Sequence, residues 1–119
     1  MLFRSAKGLG AQAHSRYIAH EVGPVGMACR HMTEGNTVHL FRDALAVVVH
    51  RRTAPLSGTE VNSLAFTTLN PAASRVYLNV ELDDAGQLQP ARCDCEFSRA
   101  GMTTALTGIE SFEIGRAHV

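Results

Sequence analysis

Ala44-Leu45-Ala46-Val47-Val48-Val49 is the longest apolar run in the chain, and its reading decides the fold class. Three successive valines disfavour a helix, where the branched side chain loses χ1 freedom, and suit a pleated surface. The run therefore reads as a buried strand over residues 43–50. It is far too short for a bilayer, which needs about 20 apolar residues. On either side of it the chain repeats the same kind of signal. Val38-His39-Leu40-Phe41 reads as a strand, and Val61 to Leu69 as another with Leu64, Phe66 and Thr68 on one face. Pro55 and Gly58 mark a turn between residues 53 and 59, and Asn70-Pro71 ends the second strand.

Towards the N-terminus, residues 13–19 read as a strand ending at His20-Glu21. Val22-Gly23-Pro24-Val25-Gly26 reads as a loop, and Gly26 to Cys29 as a short strand. Residues 30–37 are polar, with Gly35-Asn36 as turn residues. Towards the C-terminus, residues 76–82 read as a strand, Asp83-Asp84-Ala85-Gly86 as a hairpin turn, residues 87–93 as the return strand and residues 103–109 as the last. Helical periodicity is scarce and no clear helix covers either face. The expected fold is mainly β, with mostly antiparallel connections.

Composition bounds the function. A chain of 119 residues forms one small domain or a piece of a larger one. At 45% hydrophobic it can bury a core, and at 18% charged it is not a disordered tail. Lys+Arg 11 against Asp+Glu 11 leaves no basic surplus for nucleic acid or an anionic membrane. The local cluster His50-Arg51-Arg52 reads as a solvated strand end. Arg4 and Lys7 interrupt any apolar segment after Met1, so no secretory signal is read. Lys7-Gly8-Leu9-Gly10 lacks the Gly-Lys-Ser/Thr order of a phosphate loop. Three cysteines do not make a secreted disulfide scaffold, and a reducing cytoplasm is the expected compartment.

Cys93-Asp94-Cys95 is the first candidate for chemistry. A disulfide across one residue strains the geometry that such bonds require. Two thiols at i and i+2 on extended backbone instead point to one side, which suits a metal ion. Thiolate and imidazole are preferred zinc ligands, so Cys29 and His39 are the expected partners, with His31 the alternative to His39. The plainer reading is a pair of half-buried thiols beside a turn. Glu21, at a strand-to-loop junction, is a candidate for Mg²⁺ beside a nucleotide phosphate. Tyr17 could pack on a base, and Asp83 or Asp84 could hold a ribose; alone, these read as a solvated carboxylate, a core tyrosine and a turn.

The order of these features resembles the adenylate-forming (AMP-binding) enzymes, in their phenylacetate–CoA ligase branch. Tyr17-Ile18-Ala19-His20-Glu21 with Gly23-Pro24-Val25-Gly26 resembles the Tyr-Gly-x-Thr-Glu segment. Cys29 and Val38-His39-Leu40-Phe41-Arg42-Asp43 resemble the cysteine and the Gly-Leu-His-x-x-Glu-Asp stretch. Gly58-Thr59-Glu60 through Thr67-Thr68-Leu69 resembles Gly-Glu-x-Gly-Glu-Leu-x-x-Thr-Thr-Leu. Residues 76–84 fall where the family has Arg-Tyr-Arg-Thr-Gly-Asp, and Cys93-Asp94-Cys95 where it has Cys-Pro-Cys-Gly. Ile18 and His20 depart from the motif glycine and threonine.

The resemblance implies antiparallel strands from the late part of the large N-terminal domain, in an α+β parent. It implies that ATP and Mg²⁺ activate a carboxylic acid as an acyl-adenylate, which passes to a thiol acceptor such as coenzyme A. Glu21 would serve Mg²⁺ and ATP, Tyr17 the adenine, and Asp83 or Asp84 the ribose. Cys29, His39, Cys93 and Cys95 would hold structural zinc. The family's phosphate loop lies upstream and its catalytic lysine downstream of the matched stretch, so this chain alone is expected to be inactive. Residues 1–113 are read as a partial AMP-binding domain. Residues 114–119 are what ATC GGA AGA GCA CAC GTC encodes, a common sequencing adapter, and are read as a non-native tail. The alternative is a small zinc-stabilised β-rich binding module without catalysis.

Overall fold

The computed structural model describes residues 14–112 apart from His20 and Glu34. The glycine-rich stretch near Lys7 and the expected tail at residues 114–119 lie outside them. Seven strands form one antiparallel sheet: β1 (Arg16–Ala19), β2 (Gly23–Met27), β3 (Val38–Leu40), β4 (Leu45–Thr53), β5 (Glu60–Thr68), β6 (Val80–Pro90) and β7 (Thr104–Ser111). A single helical turn, α1 (Glu96–Arg99), lies between β6 and β7. The strand order is β1-β2-β3-β7-β6-β5-β4, and every neighbouring pair is antiparallel. The mainly β, antiparallel architecture is as the sequence indicates.

The apolar run becomes β4, an edge strand paired with β5 in unbroken register from Leu45↔Thr68 to Thr53↔Glu60. Leu45, Val47 and Val49 face Leu64 and Phe66 in the main core, whereas Val48 is 54% exposed. The run is thus buried on alternate residues only, because a strand sends successive side chains to opposite faces. Phe66, Leu64, Val25, Val38 and Leu106 are the inaccessible centre of that core. Each contributes about 1.5–3 kcal/mol of burial.

The sheet is strongly curled. β3 and β4 follow each other across four residues, 41–44, yet stand four places apart in the strand order. In a flat sheet that separation would be about 19 Å. The Leu45 N–H donates to the Phe41 carbonyl at 3.2 Å, so the connection is a compact turn and not an extended crossing. Tyr17 on β1, at one edge, meets Phe66 on β5, next to the other edge, with ring centroids 6.4 Å apart in an edge-to-face arrangement. The concave face closes over the core.

Three local expectations are corrected. The segment 22–26 is not a loop: Gly23-Pro24-Val25-Gly26 runs within β2, and the chain turns at Glu21-Val22. Pro24 is accommodated beside an irregularity in its own strand: one step on β1, Tyr17 to Ile18, matches two on β2, Gly26 to Pro24. Asp83-Asp84-Ala85-Gly86 is not a hairpin turn but the interior of β6. Between Ser63↔Ala85 and Ala65↔Glu81, two steps on β5 match four on β6, and Asp83 sits at φ 63°. The positive φ that aspartate tolerates in a turn is used here in a bulge. Residues 76–79 are not strand either. Tyr77 and Asn79 donate their N–H groups to the hydroxyls of Thr68 and Thr67, and the Thr68 N–H donates to the Tyr77 carbonyl at 2.9 Å, so this segment is tied to β5 by side chains and one backbone bond.

Gly26 sets how closely β2 and β3 approach. A Cβ there would stand 2.2 Å from the His39 carbonyl oxygen and 2.7 Å from the Val38 side chain. Gly26→Ala is therefore expected to destabilise the fold by about 2–3 kcal/mol. Gly35→Ala, with its nearest atom 4.0 Å away, should change stability by less than about 0.5 kcal/mol. Urea unfolding of the two variants checks the contrast.

Candidate metal centre

Four ligating side chains converge where the central strands end. Cys29 follows β2, beside a tight turn in which the Met32 N–H donates to the Cys29 carbonyl at 3.0 Å. His39 is the middle residue of β3, opposite Met27 on one side and Ala105 on the other. Cys93 lies in the connection after β6, and Cys95 immediately precedes α1. The metal-binding atoms of all four lie within 4.8 Å of one another. Cys93 Sγ is 3.6 Å from both Cys29 Sγ and Cys95 Sγ, and His39 Nε2 is 3.3 Å from Cys93 Sγ and 3.2 Å from Cys95 Sγ. The three thiols are free. This donor set can hold a metal ion.

The surroundings prepare the donors. His39 is fully buried, and its Nδ1 lies 2.8 Å from the Met102 carbonyl oxygen. A carbonyl only accepts, so Nδ1 carries the proton and Nε2 keeps its lone pair for the cluster. The Phe97 ring stacks on the imidazole at 5.2 Å. Burial pushes the Cys93 thiol up, and the neighbouring Cys29 and Cys95 sulfurs hold it at about 11. Burial opposes the Cys95 thiolate too, but hydrogen bonding from the Ser98 backbone and hydroxyl, with the two adjacent thiols, brings it down to about 6.

His31, the sequence alternative to His39, is not among the four; it is exposed on the turn after Cys29. The supporting groups Phe97, Ser98 and the Met102 carbonyl were not singled out from sequence. Ser98 stands three residues after Cys95 at the start of a helical turn, a spacing that could have drawn attention to it; a backbone carbonyl leaves no such mark.

The remaining candidates gather at a second place. The Tyr17 hydroxyl donates to the Asp84 carboxylate across 67 positions of sequence. Burial raises the Asp84 pKa, and the charges of Asp83 and Glu21 raise it further, while the Tyr17 hydrogen bond opposes them. Burial and the same bond push the Tyr17 phenol well above its ordinary range. Glu21 is exposed at the β1–β2 turn. Tyr17 and Asp84 are therefore in contact, with the Tyr17 ring against Phe66 and its hydroxyl engaged, and the charges of Asp83 and Glu21 act on Asp84. Among the described residues, no helix is long and apolar enough to cross a membrane. Comparison with family models, curated proteins and solved structures finds no match to this chain.

The raised Asp84 pKa has a defined consequence for stability. A carboxylate whose folded pKa exceeds its unfolded value costs stability when ionised in both states, and the cost disappears once both are protonated. Asp84→Asn keeps an acceptor for Tyr17 and removes the charge facing Asp83 and Glu21. The variant should be more stable than the parent at pH 7, and the advantage should vanish below about pH 3.9. Urea midpoints measured across that range check it.

Proposed function

We propose that Cys29, His39, Cys93 and Cys95 hold a structural zinc ion that fastens the curled sheet. The observation that carries this reading is the shape of the cluster. A tetrahedron with Zn–S about 2.3 Å and Zn–N about 2.0–2.1 Å has S···S edges near 3.8 Å and S···N edges near 3.5 Å. Four of the six edges lie close to these values: Cys93 Sγ stands 3.6 Å from the Cys29 and Cys95 sulfurs, and His39 Nε2 3.2–3.3 Å from the Cys93 and Cys95 sulfurs, with all four atoms within 4.8 Å of one another. Four protein donors leave no open position for water or substrate, which is the pattern of a structural ion. The ligands come from β3, from the end of β2 and from the β6–β7 connection, so one ion would tie together four strands that are adjacent in the sheet.

The setting we propose for this clasp is the nucleotide side of an ATP-dependent, carboxylate-activating ligase resembling phenylacetate–CoA ligase. Support comes from the two sets of residues that the resemblance assigns. The set assigned to zinc is clustered, and the set assigned to the nucleotide, Tyr17, Glu21 and Asp83 or Asp84, is gathered at a separate place. In this reading Glu21 serves Mg²⁺ and the phosphates electrostatically. The carboxylic acid and a thiol acceptor such as coenzyme A are the partners. One observation favours the second reading, a zinc-stabilised binding module without catalysis: Tyr17 and Asp84 already satisfy each other.

Chelation tests the clasp. With zinc at a thousand times its dissociation constant, binding adds about 4 kcal/mol to stability. Removal of zinc should lower the melting temperature by at least about 10 °C, and zinc should restore it. An unchanged melting temperature would count against the structural ion. Pyrophosphate release tests the setting. The full-length protein that carries this segment, given ATP, Mg²⁺ and a panel of carboxylic acids, should release pyrophosphate with one class of acid. Glu21→Gln should slow that release by about a hundredfold. No release by zinc-replete protein with any acid would favour the non-catalytic module.

A further inference from the structure

Among the three cysteines, Cys93 stands apart in two respects. Cys29 is 3% exposed and Cys95 2%, whereas Cys93 is half-buried and lines a solvent-open cavity of about 360 Å³ with His31, Met32, Thr37, Gln89 and Arg92. Cys93 is also the sulfur that lies 3.6 Å from each of the other two. An oxidant the size of a peroxide therefore reaches Cys93 first, and a second sulfur waits beside it.

We propose that Cys93 is an oxidation site and that it resolves onto Cys29, forming a Cys29–Cys93 disulfide that expels the zinc ion. Cys95 is the poorer partner for two reasons. A disulfide across one residue is strained. Cys95 is also fixed at the start of α1, where its carbonyl accepts the Arg99 N–H at 3.0 Å. Cys29 and Cys93 come from segments far apart in sequence, one after β2 and the other after β6, so no short ring constrains a bond between sulfurs that already stand 3.6 Å apart.

The chemistry balances with hydrogen peroxide as the oxidant. The Cys93 sulfur attacks one peroxide oxygen, the O–O bond breaks, and hydroxide leaves and is protonated to water, giving a Cys93 sulfenic acid. The Cys29 sulfur then attacks the Cys93 sulfur, the S–O bond breaks, and a second hydroxide leaves as water. Two thiolates lose two electrons in total, peroxide gains them, and two protons are consumed. His39 and Cys95 remain as donors, two where a closed site has four. The zinc ion is released, and the clasp between β2 and the β6–β7 connection becomes covalent.

This inference rests on the zinc reading, and the two can fail separately. Zinc-loaded protein is treated with hydrogen peroxide, released metal is followed with a colorimetric chelator, and the product is mapped by mass spectrometry without reduction. The expected result is release of about one equivalent of zinc, loss of two hydrogens per chain, and a peptide pair joined through Cys29 and Cys93. Dithiothreitol with zinc should reverse all three. A Cys93–Cys95 link, sulfinic or sulfonic acid at Cys93 without a disulfide, or zinc retained after oxidation would overturn the proposal. Protein that binds no zinc but still joins Cys29 to Cys93 would refute the zinc reading and keep the oxidation site. In Cys29→Ala, dimedone should trap the Cys93 sulfenic acid; if that variant does not fold, the wild-type peptide map decides alone.

Discussion

Three thiols and an imidazole meet in a space less than 5 Å across, and two of the sulfurs and the ring are buried. Such an arrangement is electrostatically awkward on its own. Burial and the adjacent sulfurs hold the Cys93 thiol up, while hydrogen bonding from Ser98 brings Cys95 down, so the two thiols move in opposite directions from their ordinary value. A divalent cation at the centre reverses this logic. It accepts every lone pair and makes further deprotonation favourable, so metal binding becomes folding free energy. His39 is already committed to that geometry, since its Nδ1 proton is held by the Met102 carbonyl from the turn before β7.

The ladders beside the cluster are short, and the core beneath them carries the curl. β3 is three residues long and pairs with β2 over two positions and with β7 over two. Short ladders of this kind offer few hydrogen bonds, although Val38 and Leu40 of β3 are buried in the core. Gly26 permits the close approach of β2 to β3, and Phe66 and Leu64 supply the core beneath them. An ion held by these four side chains would join β2 and β3 to the β6–β7 connection. The long β4–β5 ladder lies away from the ligands and depends on ordinary cross-strand packing of Val47 with Phe66 and Val49 with Leu64.

Much of this was legible in the sequence, for reasons that differ by element. The valine run and the alternating Leu64-Phe66 pattern carry a period of two, which survives in any β context. The four ligands were legible through thiolate and imidazole chemistry and through the i, i+2 spacing, although 64 residues separate Cys29 from Cys93. The errors share a cause. Gly23-Pro24-Val25-Gly26 and Asp83-Asp84-Ala85-Gly86 are composed of turn formers, yet each lies inside a strand. Glycine and aspartate report a backbone need, close approach or positive φ, and a bulge or a crowded strand pair has the same need as a turn. Residues 76–79 have strand-like composition but form no regular ladder: the Thr68 and Thr67 hydroxyls take the Tyr77 and Asn79 amides, and a single backbone bond, Thr68 N–H to the Tyr77 carbonyl, joins them to β5. Only the tertiary pairing distinguishes these cases.

Zinc X-ray absorption spectroscopy on the purified, zinc-loaded protein reads the coordination sphere itself. Three sulfurs at about 2.3 Å and one nitrogen at about 2.0–2.1 Å are expected of the structural zinc site, with no oxygen. A sphere dominated by oxygen and nitrogen, or one with fewer than three sulfurs, would contradict it.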